Sequence, residues 1–324
     1  MKSKIKYLFF LLIGVFLFKW VYGTFSGEDA LNLVLDYKYY FYLLIIAHIP
    51  TLYFDALTWV ILTKKSNLSV LWSFVIIWIS QATGKFFPTG NITAEFVRIY
   101  LGIKKGLSPT ESSSSVFIDL VIATFSLFLI AFLSFIYLVF NHQEIMLDEY
   151  ITYFILSLIL ILFGCITFYL LIRKRFLKIL IKKTEKASFF KLSFSKIFSL
   201  MKIDKALFNF TNDKIILFKA LSFRLLGWLG GAFEIYVFLW IIGYEPQIID
   251  VIIIESFSGI IRAIAFFIPA GIGVQELAFI VVGDFVGLSS QISFSIAIGR
   301  RIREILVGLP AIVAWLFLNK SFKK

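Results

Sequence analysis

Twice in this chain the same helix-breaking pattern interrupts a strongly apolar stretch. Pro88, Gly90, Glu95, Gly106, Leu107 and Ser108 recur at the same intervals, 181 residues further on, as Pro269, Gly271, Glu276, Gly287, Leu288 and Ser289. Trp59 and Trp240 keep the same offset. Breaks of this kind free backbone N–H and C=O groups that lipid cannot satisfy. Such a segment in a bilayer must face protein or a water-filled cavity. Paired interruptions in corresponding halves point to the binding site of a transporter built from two repeats.

The bilayer itself follows from composition. Hydrophobic residues make up 60% of the chain, charged residues 16%, and the mean hydropathy is +0.92. Soluble domains run at roughly 45–50% and 25%. The 324 residues accommodate about eight membrane elements and leave no room for a soluble catalytic domain. The net charge of +12 comes from residues flanking apolar runs, so the expected partner is an anionic leaflet rather than nucleic acid. Cys165 is the single cysteine and lies in an apolar run; His48 and His142 are the only histidines. No Cys/His zinc set can be assembled from these, and neither metal nor cofactor is expected, a carboxylate-bound ion being the one alternative left open. No Ser/His/Asp or Cys/His catalytic arrangement is readable either. Lys2, Lys4 and Lys6 precede an apolar run ending at Phe18, but Lys19 and Trp20 stand where a cleavage site would need small residues. The expectation is a retained first helix.

Clear spans are expected over 5–25, 39–63, 111–140, 150–172, 214–243 and 289–318, with further apolar runs at 68–87 and 248–268 leading into the two motifs. Lys and Arg placement sets the orientation. Lys2, Lys4, Lys6, Lys64, Lys65 and the tail lysines Lys320, Lys323 and Lys324 mark the cytoplasmic side, as does 173–214, with twelve Lys/Arg against three acids. Glu28, Asp29, Asp36, Glu144, Asp148, Glu149, Glu245 and Asp250 mark the opposite face. For both charge sets to hold, each motif must return the chain to the side it came from. The expected fold is therefore all-α and polytopic, with N- and C-termini inside. It has about six full spans plus two re-entrant helical hairpins, the alternative being that both arms of each motif cross fully, arranged as two inverted-topology repeats. Residues 1–145 form the first repeat and 146–324 the second, with a basic cytoplasmic segment at 173–213. Within that segment, 185–205 carries Phe190, Phe194, Ile197 and Met201 at helical spacing. That suits either an amphipathic helix on the inner leaflet or a solvated linker.

Each ionisable residue in a span costs about 2.5–3.5 kcal/mol on insertion scales and invites a partner or a task. Asp119 and its repeat equivalent Arg300 carry opposite charges and are expected to meet across a pseudo-two-fold axis. Arg300 and Arg303 share a helix face at about 60° separation while Arg301 points elsewhere. Two readings stand for this arginine cluster, an anion site and structural ion pairing. A helix starting just past each Pro-x-Gly break would aim free N–H groups at an anion. Gly271 and Gly273 would leave that backbone approachable, and Glu95 and Glu276 would pair with Arg98 or the Arg300 cluster. Arg224 and Glu234, like Glu255 and Arg262, read as charge balancing. The Ser112–Ser115 run, Ser256 and Ser258 ease close helix contact.

On these residues the chain resembles the lysylphosphatidylglycerol synthase transmembrane-region family, which is flippase-like. The first family motif, Pro, Gly, Glu and an Arg three residues later, is met by Pro88, Gly90, Glu95 and Arg98. The second is met by Pro269, Gly271, Gly273 and Glu276, followed by Gly287-Leu288 and a helix bearing Arg300. Ala94, Leu120 and Ala270 depart from it. The soluble aminoacyl-transferase domain of the full-length synthases does not occur in these residues, so lipid aminoacylation is not implied. The resemblance implies movement of an anionic or phosphate-bearing lipid between leaflets of the inner (cytoplasmic) membrane, alongside lipid- or glycan-pathway enzymes. Pro88, Gly90, Glu95, Arg98, Asp119, Pro269, Gly271, Gly273, Glu276, Arg300 and Arg303 would serve the head group. A membrane-embedded enzyme on a lipid-linked substrate and a pathway scaffold are the other open readings.

Overall fold

The computed structural model describes residues 2–63, 66, 68–87, 91–141, 149–186, 194–265 and 268–321. Pro88, Gly90, Lys64, Lys65, His142, Glu144, Asp148, Phe190, Lys323 and Lys324 therefore lie outside the described residues. The described chain is helical. Helices α1 (Lys2–Thr24), α2 (Gly27–Asp36), α3 (Tyr42–Leu62), α4 (Val70–Phe86), α5 (Asn91–Lys104) and α6 (Pro109–Asn141) form its first part. Helices α7 (Glu149–Arg173), α8 (Phe176–Lys186), α9 (Phe194–Asn212), α10 (Lys214–Ile241), α11 (Ile248–Ile264), α12 (Val274–Phe285) and α13 (Ser290–Ser321) follow. Among the described residues, five stretches are long and apolar enough to cross a membrane: Lys38–Leu62, Pro109–Asn141, Ile155–Arg173, Lys214–Ile241 and Ser290–Asn319.

The first expected span is not straight. α1 and α2 meet at 83°, and a sixth crossing exists only if they count as one broken span. Ser26 takes a left-handed φ of 52° at the bend, and a Cβ on Gly27 would lie 2.5 Å from the Tyr22 carbonyl oxygen. Only glycine lets the chain turn so tightly there.

The repeated Gly-Leu-Ser has a plain local cause. Gly106 (φ 99°) and Gly287 (φ 77°) are left-handed. Leu107 N–H donates to Gly102 O at 3.1 Å and Leu288 N–H to Gly283 O at 2.9 Å, which closes α5 and α12 in the same way. Both leucines are buried. Ser108 Oγ then accepts from Glu111 N–H at 3.2 Å, and Ser289 Oγ from Ile292 N–H at 3.3 Å, starting α6 and α13. The match also runs past the six residues. A Cβ on Gly102 would meet Ser112 Oγ at 2.7 Å, and one on Gly283 would meet Ser293 Oγ at 2.1 Å. That pair of close contacts holds α5 to α6 and α12 to α13 at the same register.

Two sets of four helices follow the same packing scheme. In α3–α6, and again in α10–α13, each helix packs on the next. Across the sets α4 packs on α13, α11 on α6, and α3 against α10 along the longest contact in the molecule. Small residues allow that last approach, as is usual where lipid gives no hydrophobic drive. A Cβ on Gly230 would lie 3.0 Å from Thr51 N, and one on Gly227 3.0 Å from Asp55 Oδ1. The correspondence stops short of α1 and α7, since α1 packs on α12 and the second break whereas α7 packs on α6 and α9.

Outside this core the helices present bare apolar side chains, among them Phe16, Phe140, Phe163, Phe218, Trp240 and Phe317. Of the basic segment, 187–193 lie outside the described residues. Helix α9 begins at Phe194 and packs against α6 and α7. Buried Asp204 ties it to Arg175, ahead of α8, at 2.8 Å. Residues 194–205 are therefore built into the bundle.

Candidate functional site

Buried charge collects in two places, and α10 reaches both. The first cluster centres on Asp119 of α6, which is fully buried. Arg98 Nη2 of α5 lies 2.5 Å from Asp119 Oδ2, and Arg224 Nε of α10 donates to Asp119 Oδ1 at 2.8 Å. Arg224 also pairs with Asp55 of α3, which accepts from Gln81 Nε2 of α4 at 2.8 Å. Arg98 stacks over buried Trp59 at 4.7 Å, and Trp59 Nε1 donates to Ser115 Oγ at 3.0 Å. Glu95 joins loosely, 3.5 Å from Arg98 and with 26% of its side chain exposed.

The second cluster surrounds Glu234 of α10 and Glu255 of α11. Glu234 accepts from Arg303 Nε at 2.9 Å, lies 3.7 Å from Arg300 Nε, and its Oε2 sits 2.9 Å from His48 Nδ1 of α3. Glu255 takes Arg300 Nη2 at 2.5 Å and Arg262 Nη2 at 3.2 Å. Arg301 turns the other way, to Glu276 at 2.9 Å and Glu304 at 3.2 Å. Lys85 of α4 closes the chain of pairs at 2.7 Å from Glu304. Isolated charges at such depth cost several kcal/mol each, and only this mutual pairing offsets it.

Several expectations meet their outcome here. Arg300 and Arg303 share Glu234 while Arg301 faces elsewhere, and Glu95 pairs with Arg98, as helix geometry requires. Asp119 and Arg300 do not pair with each other; Asp119 is occupied by Arg98 and Arg224, Arg300 by Glu255 and Glu234. Glu276 pairs with a member of the Arg300 cluster, Arg301. Arg224 and Glu234 also part company, because ten residues of helix set them about 15 Å apart along the axis. Glu255 and Arg262, seven residues apart, do pair. Trp59 and Trp240 match in sequence only, the first buried and the second 59% exposed.

The second break differs from the open helix start that was expected. A short 3-10 turn covers Pro269–Gly271, with Ala270, Gly271 and Gly273 all at positive φ. Glu276 folds back to accept Gly273 N–H at 2.7 Å, so the carboxylate of α12 caps its own helix. Arg301 donates to Ala270 O at 2.8 Å and Gly271 O at 3.2 Å, satisfying the freed carbonyls. Gly273 is not approachable, for a Cβ there would lie 2.7 Å from Gly14 O and from Phe18 N of α1. Gly271 stays open, with nothing nearer than Gln275 Cβ at 4.0 Å.

Gly271 faces a cavity of about 280 Å³ between the two helix sets. Lys85 of α4, Leu120 and Thr124 of α6, Trp228 of α10, Arg262 of α11 and Gln275 of α12 help to wall it. Sequence reasoning missed His48, Asp55, Gln81, Lys85, Gln275 and Glu304 here. The available signal was their polarity inside apolar runs.

The chain matches the description Lysylphosphatidylglycerol synthase TM region over residues 7–311. No match emerges among curated proteins or among solved structures. With that match covering nearly its whole length, and with its apolar helices and buried charge, this chain is a multi-pass membrane protein and a member of the lysylphosphatidylglycerol synthase transmembrane-region family.

Proposed function

We infer that this protein is a lipid translocase that carries an anionic or phosphate-bearing lipid between the leaflets of the cytoplasmic membrane. The observation that carries the reading is the cavity between the helix sets, lined by Lys85 and Arg262 inside a molecule whose outer surface is apolar. A polar head group needs such a place, whereas its tails can stay in the bilayer. The two sets are read as inverted repeats with both termini in the cytoplasm, and α4–α5 and α11–α12 as re-entrant pairs.

Among the described residues, four charged contacts tie one set to the other, Asp119 and Asp55 to Arg224, His48 to Glu234, and Lys85 to Glu304, beside the hydrogen bonds Trp78–Val307, Trp228–Ser126 and Ser256–Ser134. The other charged pairs of these eight helices lie within a set. Rocking of one set against the other would exchange the four inter-set contacts while the internal pairs hold each half rigid. Arg98, Arg300 and Arg303 belong to these internal pairs, so their role is to keep the halves intact beside the passage. The lipid leaves chemically unchanged.

Leaflet exchange in proteoliposomes tests this, with fluorescent phospholipids and a polyprenyl phosphate as cargo. Exchange above protein-free vesicles, lost on replacing Arg224 by alanine, is the expected result. Folded protein that exchanges no lipid, or a new lipid product in the extract, overturns it. Thiol labelling of single cysteines placed at residues 3 and 322, after replacing Cys165, reads the orientation.

A further inference from the structure

The second charge cluster is unevenly matched. Lys85, Arg262, Arg300, Arg301 and Arg303 face Glu234, Glu255, Glu276 and Glu304, which leaves one cation in excess. The excess falls on Arg262, because Glu255 is already held by Arg300 at 2.5 Å. Arg262 Nη1 is buried with no hydrogen-bond partner. Gln275 is 1% exposed and its Nε2 also has none. Both residues line the cavity between the helix sets. Unpartnered buried donors are rare, and each costs its full desolvation. Two donors bordering one cavity, beside a surplus positive charge, call for an anion with several acceptor oxygens.

We propose that Arg262 and Gln275 form a subsite for the phosphate of a membrane lipid. This rests on the translocase reading and names the group that the cavity holds. Arg262 supplies charge and a second N–H while its other nitrogen stays on Glu255. Gln275 supplies a neutral N–H. The open φ of 60° at Gly271 leaves backbone, not side chain, on that wall. Leu120, Leu127 and Trp228 give the first carbons of the tails an apolar surface.

The test is native mass spectrometry of the full chain in detergent, titrated with phosphatidylglycerol and with diacylglycerol of the same tails. The expected result is retention of phosphatidylglycerol at least about tenfold tighter than diacylglycerol, the scale of a charge-assisted contact. Gln275→Leu and Arg262→Gln should each weaken phosphatidylglycerol by about tenfold and leave diacylglycerol unmoved. Gln275→Leu should melt at or above the wild-type temperature, because an unpartnered buried amide gives way to an apolar group of similar shape. Equal retention of both lipids, or variants that bind like wild type, overturns the subsite. Displacement of the lipid by millimolar inorganic phosphate overturns its lipid source. Binding is read without transport, so absent leaflet exchange with intact, Gln275-dependent binding counts against the translocase reading and not against the subsite.

Discussion

The helix pairs α5–α6 and α12–α13 are near copies in backbone and opposites in charge. Both close with a left-handed glycine and a buried leucine, restart on a serine, and pack a glycine against a serine one helix away. Yet the cluster around the first holds three carboxylates (Asp55, Glu95 and Asp119) against Arg98 and Arg224. The cluster around the second holds four carboxylates against five cations. The backbone frame is therefore duplicated while its electrostatics are not. The interface between the sets therefore has an acidic side and a basic side, not two equivalent ones.

The largest way to strain this contrast is Arg224→Ala, which leaves Asp119 with Arg98 alone and strips Asp55 of its cation. Losing one member of a buried ion pair costs about 3–5 kcal/mol, visible as a lower midpoint of unfolding in denaturing detergent. Adding Asp55→Asn to that variant should recover part of the loss. Glu276→Gln and Glu95→Gln sharpen the comparison between the copies. The first weakens a buried contact to Arg301 and the cap on Gly273, about 2 kcal/mol. The second touches a half-buried, 3.5 Å pair and should shift the midpoint by less than about 1 kcal/mol. Gly106→Ala and Gly287→Ala should each cost about 1–2 kcal/mol, and by similar amounts; unequal costs would break the backbone equivalence. Last comes the tryptophan pair. Trp59→Phe loses the Ser115 hydrogen bond, about 1 kcal/mol, while Trp240→Phe should leave the midpoint unchanged.

What was readable beforehand was local. Gly106-Leu107-Ser108 and its copy specify a helix end and a helix start within six residues, so matched spacing translated directly into matched geometry. The paired helix breaks and the positions of most spans followed from apolar run length. The partners of Asp119 were not readable, because symmetry in the sequence pointed to Arg300 while the residue that reaches Asp119 across the interface is Arg224, placed by the rotation of α10. The capping of α12 by Glu276 was hidden for a related reason. The motif supplied a helix N-terminus and a carboxylate, and nothing in one dimension said that the second would fill the first. The bend at Ser26–Gly27 shows only once Tyr22 is seen lying over it.

The seat of α1 on the second break bears on how the molecule is made. Gly14 and Phe18 are synthesised about 260 residues before Ile272 and Gly273, on which they close. At 5–20 residues per second that is an interval of roughly 13–50 s. Throughout it the first helix lacks its final neighbour there. An aberrant early commitment of α1 to another helix would leave the turn at Pro269–Gly271 exposed to lipid.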